Sequence, residues 1–462
     1  MKKLFVFCSV IFFLLLAVFV FDVSYLFHGI RCTYLRGESS AQIDDHRFFY
    51  TREVVSKNPI VIPDGYNYVD SVKNKKLNTV LEESNSVAFL VVQDDSVRVE
   101  KYWEGGGKEV LTNSFSMAKS IMSILVGCAI DDGYIKSVDQ SVFDFIPELE
   151  PFKKNDVKIK HLLEMSSGYD WLENYKRPIS VTAKAYYGRS LLDLILSRDF
   201  VGVPGKDYFY SSGSTQVLGL VLERAVGESL SSYAGWSIWS RIGATQNALW
   251  ALDKKDGFEK AFCCFNSSAR DFLKIGLLML GDGVVDWVEQ EAPPLVFKQY
   301  YEKYIKGGGS ESSVEFWKKV SKNKEEESGY FDFIRKRGML KPGVSNKEWE
   351  GWLDGSFSSR VLSKNYIDWL LSVPKLLDPD GAHKKDGFVD YYSNGWWVAR
   401  VLEKDVFYAR GFLGQYIVVI PDLNLVFVRL GMFENEKSAF KNDYMLTDNL
   451  LFFIQQVIYD FS

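Results

Sequence analysis

The chain has 462 residues, a formal net charge of −5 and an apolar fraction of 47%. These values are typical of a globular protein, and the length suffices for one large two-lobed domain or for two domains. The mild negative charge, without a basic stripe interleaved with aromatic residues, argues against a nucleic-acid partner.

The cysteines and histidines indicate neither a disulfide framework nor a metal site. The five cysteines are scattered and odd in number, and neighbouring residues such as Cys263 and Cys264 are geometrically poor partners. The four histidines show no metal-ligand spacing. No G-x-S-x-G motif occurs in the sequence, so a hydrolase of the Ser-His-Asp class is not expected.

The N-terminus carries an uncharged apolar run from Leu4 to Phe21, preceded by two lysines. As a helix it would measure about 27 Å at ~1.5 Å per residue, close to the ~30 Å hydrocarbon core of a bilayer. A cleaved signal peptide is the alternative, but its apolar region is usually shorter, and no good cleavage site follows Phe21. We therefore predict a signal anchor over residues 1–25, a membrane partner and an extracytoplasmic catalytic domain, with secretion after cleavage as the alternative.

The next part of the chain is predicted to be a lead-in segment followed by a hairpin. Residues 26–80 are mixed and polar. Residues 87–93 and 96–103 are rich in β-branched and aromatic residues and flank Asp94-Asp95, which predicts two strands connected by a tight turn.

The most informative motif is Ser116-Met117-Ala118-Lys119, which precedes the apolar run 121–130. This run predicts a buried helix, on which Lys119 lies one turn after Ser116 and on the same face. An alcohol needs an adjacent base to attack a carbonyl at neutral pH, and a buried lysine can be that base. The helix N-terminus favours negative charge at Ser116. An ordinary helix cap is the alternative, because S-x-x-K also occurs by chance.

Two later segments supply further candidates for the same site. Tyr210-Ser211-Ser212 precedes a helical run, and a loop tyrosine at such a junction can relay a proton, although it can equally pack between helices. The segment 408–416 joins two strand-like runs. Its glycines, Gly411 and Gly414, would let a substrate approach the strand backbone, or would simply form a turn.

In this order, the three segments resemble the motifs of the serine β-lactamase and penicillin-binding-protein superfamily. Residues 161–168 (HLLEMSSG) resemble the H-L-L-x-x-x-S-G stretch of class C β-lactamases and related esterases. Residues 262–272 and 409–415 resemble the 6-aminohexanoate-dimer hydrolases. The resemblance covers roughly residues 80–290 and 350–460.

The resemblance implies an α+β, β-lactamase-like fold for a domain over residues 81–462, preceded by the transmembrane helix. Strands near both ends of the domain would share one antiparallel sheet flanked by helices. The late strands are predicted at 396–401, 406–409, 415–420 and 425–429, with a final helix near 444–459. A helical lobe would span about 130–370 and contain an enlarged insertion at about 295–350.

The resemblance also implies a serine hydrolase that cleaves a small-molecule ester or amide and needs no metal or organic cofactor. Ser116 would attack the carbonyl, Lys119 would take its proton, and Tyr210 would pass a proton to the leaving group. The backbone N–H groups of Ser116 and Phe412 would form the oxyanion hole. Substrate-binding positions carried over in the same way are Tyr169, Ser212, Asn266 and Gly411.

Two departures from the superfamily motifs affect the expected substrate. Ser212 stands where β-lactamases and transpeptidases usually have Asn, and Ala409 aligns with the lysine that holds a substrate carboxylate. The neighbouring Arg410 would point to the opposite strand face. Ester or amide hydrolysis therefore ranks above a β-lactamase or D-Ala-D-Ala peptidase-like activity. A non-catalytic binding or sensor module of the same fold is the third alternative.

Overall fold

A computed structural model of the chain describes residues 23–57, 59–152, 156–285, 360–372, 389–433 and 447–462. The strands in these ranges are β1 (Thr51–Val54), β2 (Asp64–Val69), β3 (Ser86–Gln93), β4 (Ser96–Tyr102), β5 (Thr112–Asn113), β6 (Ala248–Ala251), β7 (Phe265–Ser267), β8 (Val389–Ser393), β9 (Trp396–Val401), β10 (Lys404–Gly411), β11 (Gln415–Ile420) and β12 (Leu425–Gly431). The helices are α1 (Tyr25–Cys32), α2 (Lys75–Glu83), α3 (Met117–Asp131), α4 (Ile159–Leu163), α5 (Val181–Tyr187), α6 (Leu191–Leu196), α7 (Ser212–Val226), α8 (Leu230–Ala234), α9 (Ala269–Leu280), α10 (Lys364–Leu370) and α11 (Asp448–Phe461).

Strands from opposite ends of the chain pair in the middle of the larger sheet. The strand order is β2-β4-β3-β12-β11-β10-β9-β8, and β3 pairs antiparallel with β12, with Leu90 opposite Val428. Every pair is antiparallel except β2 with β4, which run parallel. The expectation of one sheet shared by early and late strands is confirmed.

Alternating side chains of the central strands feed two separate cores. On β3, Leu90 and Val92 belong to the core under α3 and α9, whereas Phe89 and Val91 belong to the core with α11 and α2. This alternation follows from the pleat, which points successive side chains to opposite faces. Because both faces are covered, the strand is apolar and rich in β-branched residues along its whole length.

A smaller sheet and a helical lobe complete the fold. The smaller sheet has the order β1-β6-β7-β5, so the lead-in strand β1 is part of it. Helices α4 to α8 lie between β5 and β6 in the chain and form the described part of the lobe, and α7 packs on α3. The start of α3 therefore lies where the lobe meets the two sheets.

Several sequence-based element predictions can be compared directly with the structure. The hairpin is β3 and β4, and the late strands are β9 to β12. The final helix is α11, Asp448–Phe461, which extends two residues beyond the predicted end at 459, while residues 444–446 of the prediction lie outside the described residues. The predicted insertion at about 295–350 lies outside the described residues.

The predicted N-terminal transmembrane helix is wrong as part of this fold. In the described ranges, no helix is both long and apolar enough to cross a bilayer. The first described helix, α1, has 8 residues, which at ~1.5 Å per residue is far shorter than a ~30 Å hydrocarbon core. The run from Leu4 to Phe21 lies outside the described residues. The described part of the fold thus contains no membrane-spanning helix, and the extracytoplasmic location of the catalytic domain stays a prediction.

The expectation for the neighbouring cysteines is also wrong, because Cys263 and Cys264 are joined in a disulfide. Cys264 adopts a left-handed backbone conformation (φ 67°). The bond therefore lies within a tight local turn, which residue spacing alone did not reveal. Cys32 and Cys128 are buried and are not part of a disulfide.

Gly276 tests the packing of α9 on the sheet. A Cβ atom at this position would lie 2.4 Å from Cγ1 of Val426 and 2.9 Å from Cγ2 of Ile417. We expect Gly276→Ala to lower the free energy of unfolding by about 1–2 kcal/mol, because overpacking outweighs the ~1 kcal/mol gain in helix propensity. Denaturant titration measures the change. Val426→Ala should partly rescue the variant by removing the facing methyl groups, and an unchanged or raised stability of the single variant would contradict the packing.

Candidate active site

The first turn of α3 presents one partly exposed hydroxyl in an otherwise buried segment. Ser116 is the N-cap residue of α3 and is half-buried, whereas residues 112–115 and 117–129 are buried. The helix is buried around its whole circumference and mostly apolar, because it passes through the core beneath the large sheet. The sequence thus gives a rigid, buried helix whose N-terminal serine reaches the surface.

Lys119 lies within hydrogen-bonding distance of this hydroxyl. Its Nζ donates to Ser116 Oγ at 3.1 Å and to the carbonyl oxygen of Phe262 at 3.1 Å, and the side chain is only 3% exposed. A nucleophile and a base within this distance form the arrangement that serine hydrolases with a lysine base require. The carbonyl of Phe262 orients the amine, and its role was not predicted from the sequence.

Tyr210 brings an aromatic face to the same amine. Lys119 Nζ lies 5.0 Å from the centroid of the Tyr210 ring, a cation–π distance. The ring also stacks on Trp397 (6.3 Å, 25°) and meets Tyr392 edge-on (5.9 Å, 86°). These contacts fix the Tyr210 ring beside the Ser116–Lys119 pair, as the motif order predicts. The proposed proton relay through its hydroxyl stays a prediction.

The end of strand β10 lies directly against the turn of residues 113–116, which carries the predicted nucleophile and is called the nucleophile turn. A Cβ atom on Gly411 would lie 2.1 Å from the carbonyl oxygen of Ser114, so only glycine fits there. The ring of Phe412 meets that of Phe115 edge-on at 5.5 Å. Gln415 donates to the Phe412 carbonyl oxygen at 3.0 Å and holds the turn. The Phe412 ring thus packs on the turn that precedes Ser116, and the role of the Phe412 backbone N–H as an oxyanion-hole donor stays a prediction.

The two faces of β10 separate Ala409 from Arg410. Ala409 belongs to the core under α3, together with Ile417, the residue opposite it on β11. Arg410 stands opposite Tyr416, which belongs to the other core. Arg410 is thus on the strand face turned away from Ser116. The catalytic face carries a methyl group where the superfamily motif has a lysine.

Three predicted substrate-binding residues are buried in the fold. Tyr169 is 5% exposed, and its hydroxyl donates to the Ile195 carbonyl at 2.6 Å. Burial holds the pKa of Tyr169 well above its usual range. Asn266 is fully buried on β7, and its amide donates to the Leu249 and Cys264 carbonyls at 2.9 Å and 2.7 Å. Ser212 is 1% exposed and begins α7.

The mouth of the site contains two residues that sequence reasoning did not assign to it. Tyr175 is 54% exposed and stacks on Phe412 (6.4 Å, 14°). The Glu173 carboxylate accepts hydrogen bonds from the backbone N–H of Ser212 and, at 3.1 Å, from the Thr182 hydroxyl. Nothing in the sequence distinguishes one tyrosine among 25, so these contacts become evident only from the fold.

Comparisons with known proteins agree with this fold and this site. Residues 77–257 match the family model Beta-lactamase, a range that contains Ser116, Lys119 and Tyr210. A 6-aminohexanoate-dimer hydrolase from Paenarthrobacter ureafaciens is 28% identical over 249 residues, which are 51% of this chain and 61% of that protein. The match thus spans about three fifths of the relative's length.

Two solved structures share the fold. A candidate 6-aminohexanoate-dimer hydrolase from Bacillus anthracis superposes with a TM-score of 0.63 at 16% identity, covering 91% of this chain and 92% of that one. A candidate β-lactamase from Bacteroides dorei DSM 17855 superposes with a TM-score of 0.55 at 15% identity, covering 84% and 99%. The match of residues 77–257 to the Beta-lactamase family, the similarity to a 6-aminohexanoate-dimer hydrolase and the shared fold agree with one another. The resemblance read from the motifs is confirmed.

Gly411 tests the close contact between β10 and the nucleophile turn. Because a methyl group has no room against the Ser114 carbonyl, Gly411→Ala should displace the strand end and slow labelling of Ser116 by a fluorophosphonate by about a hundredfold. Intact-protein mass spectrometry follows the labelling. Gly107→Ala, whose added methyl group would face only the flexible Val110 side chain at 3.0 Å, serves as the control. Equal labelling rates in the two variants would contradict the contact.

Proposed function

We propose that this protein is a serine hydrolase that cleaves a carboxylic ester or amide through an acyl-enzyme on Ser116. The observation that carries the proposal is the 3.1 Å hydrogen bond between Lys119 Nζ and Ser116 Oγ, in a lysine that is almost wholly buried. The match of residues 77–257 to the Beta-lactamase family and the similarity to a 6-aminohexanoate-dimer hydrolase support the same chemistry.

In the proposed reaction, each step uses one of the groups predicted for the site at the start of α3. Lys119 accepts the proton of Ser116 while Ser116 Oγ forms a bond to the substrate carbonyl carbon. Negative charge on the former carbonyl oxygen is stabilised by the backbone N–H groups of Ser116 and Phe412. Removing one such donor cost about 3 kcal/mol in a hydrolase where it was measured. The leaving group departs with a proton passed through Tyr210, and water then releases the acyl group through the same residues.

The faces of β10 favour an ester or amide over a β-lactam or a D-Ala-D-Ala peptide. In the superfamily motif, a lysine at the Ala409 position binds the substrate carboxylate. Here Arg410 faces the other core, and Ala409 contributes only a methyl group. The curated relative is named for hydrolysing 6-aminohexanoate dimers. This chain is proposed only to share that relative's class of bond cleavage, and its natural substrate is left open.

Covalent labelling tests the proposal and separates it from its alternatives. The protein should be labelled by a fluorophosphonate and should turn over a short-chain p-nitrophenyl ester, while nitrocefin hydrolysis would favour the cell-wall alternative. Ser116→Ala should abolish both labelling and ester turnover. Ser120→Ala removes a buried hydroxyl of the same helix that donates to the Gly395 carbonyl, and it should keep both. If the wild-type protein reacts with none of these reagents, the result would favour the alternative of a non-catalytic module.

Lys119 should be indispensable as the base. Lys119→Ala should lower kcat by roughly two to four orders of magnitude, because Ser116 then has no proton acceptor. Lys119→Arg should not rescue activity, since a guanidinium keeps its proton at any usable pH. Steady-state ester hydrolysis measures both variants. Activity of the arginine variant within about tenfold of wild type would move the base role to another residue.

A further inference from the structure

The backbone immediately before the nucleophile is held in an unfavourable conformation. Phe115 has φ 44°, in the left-handed region that residues with a Cβ atom rarely adopt. It is buried, and the next residue is Ser116. A conformation of this kind persists only when its surroundings impose it. The groups that hold Phe115 therefore determine where the Ser116 hydroxyl points.

Asn113 is the residue that holds this turn. Its side-chain Oδ1 accepts a hydrogen bond from the Phe115 N–H at 2.9 Å, which closes the turn over Ser114. Its own backbone N–H donates to the Ile43 carbonyl at 2.8 Å, so the lead-in segment supports the same residue. Asn113 is 1% exposed, and its amide therefore relies on protein partners.

The other end of the Asn113 amide begins a hydrogen-bonded chain to the lead-in segment. Asn113 Nδ2 donates to the Tyr186 hydroxyl at 3.2 Å, and that hydroxyl donates to Asp45 Oδ2 at 2.9 Å. The second oxygen of Asp45 accepts from Arg36 at 3.2 Å. Asp45 is 1% exposed, so water does not compete for these bonds.

The donors and acceptors of these groups allow the chain of hydrogen bonds to run in only one direction. An ionised carboxylate only accepts hydrogen bonds, so the Tyr186 hydroxyl must donate its single hydrogen bond to Asp45. The Tyr186 oxygen can then only accept from Asn113, which turns the amide nitrogen towards Tyr186 and the amide oxygen towards Phe115. Burial raises the pKa of Asp45 to about 6, although the bond from Tyr186 and the charge of Arg36 oppose the rise. The carboxylate is therefore charged at pH 8, and the direction of the chain is fixed there.

We propose that Asp45 and Tyr186 are positioning residues for the nucleophile, acting through Asn113 to hold the Phe115 turn that presents Ser116. The inference rests on the proposed function, because it takes Ser116 as the attacking group. It makes the lead-in segment a working part of the active site.

Two neighbouring tyrosines allow a matched experiment. Tyr186→Phe removes the hydroxyl that links Asp45 to Asn113. Tyr187→Phe removes a hydroxyl from the same aromatic cluster, since both rings contact Phe49, at 5.4 Å and 6.4 Å. Fluorophosphonate inactivation at pH 8 gives the maximal rate constant kinact and the half-saturating concentration KI, and the thermal midpoint Tm is measured on the same samples.

We expect Tyr186→Phe to lower kinact about tenfold with KI unchanged, because a misdirected hydroxyl reacts slowly while the pocket still binds the probe. Its Tm should match that of Tyr187→Phe, which should keep the wild-type kinact. Asp45→Asn should lower kinact in the same way, since an amide can donate to Tyr186 and allow the chain to reverse.

The possible failures are distinguishable. Equal kinact values for Tyr186→Phe and Tyr187→Phe would overturn the positioning role while leaving Ser116 as the nucleophile. A fall in kinact accompanied by an equal change in KI and a lower Tm would overturn it as well, because the hydroxyl would then act only on stability. If wild type and Tyr187→Phe both remain unlabelled at Ser116, the proposed function itself fails.

Discussion

Burial of the Lys119 amine is the constraint on which the geometry of the site depends. Removing an amine from water is costly unless its donors find acceptors, and Lys119 is only 3% exposed. The acceptors are Ser116 Oγ and the Phe262 carbonyl, and the ring faces of Tyr210 and Phe262 lie 5.0 Å and 5.9 Å away. Segments nearly 150 residues apart in the sequence must therefore converge on one amine.

The segment that carries Phe262 is held by the helix that follows Tyr210. Gln216 on α7 accepts from the Ala261 N–H at 2.9 Å and donates to the Glu259 carbonyl at 2.9 Å. Trp250 on β6 donates to the Lys260 carbonyl at 3.0 Å. The position of the Phe262 carbonyl thus depends on α7, whose N-terminus also places Tyr210. Lys119, through its bond to the Phe262 carbonyl, and Tyr210 therefore share one support, so their placement depends on the helical lobe as well as on the sheet.

The sequence predicted those parts of the site that use local spacing. Ser116 and Lys119 lie one helical turn apart whatever the rest of the chain does. Gly411 could be recognised in the segment 408–416 because a position without room for a side chain requires glycine. The apolar strands were equally predictable, because β3 and β12 are buried on both faces. The prediction that early and late strands share one sheet relied on the resemblance, since periodicity contains no information about which strands pair.

The rest depends on contacts between distant segments and could not be predicted from spacing. A carbonyl such as that of Phe262 leaves no signature in the sequence, because every residue carries one. Asn113 lies three residues before Ser116 but outside the S-x-x-K motif, and Asp45 lies in a segment without a recognisable pattern. The apolar run at the N-terminus gave the opposite error, since hydropathy alone suggested a membrane helix that the described fold does not contain.

The chemistry of the segment 408–416 follows from the pleat of β10. Gly411 and Ala409 alternate with Arg410, so the strand turns a hydrogen and a methyl group towards Ser116 and its only nearby cation towards the other core. A substrate carboxylate would therefore gain no charge partner from this strand. The groups that do border the nucleophile turn are aromatic, with Tyr175 stacked on Phe412 and Tyr210 stacked on Trp397. Aromatic faces stabilise apolar or cationic groups better than anions. The pleat thus favours an uncharged acyl group next to the nucleophile, which is the physical reason for ranking ester or amide cleavage above cell-wall chemistry.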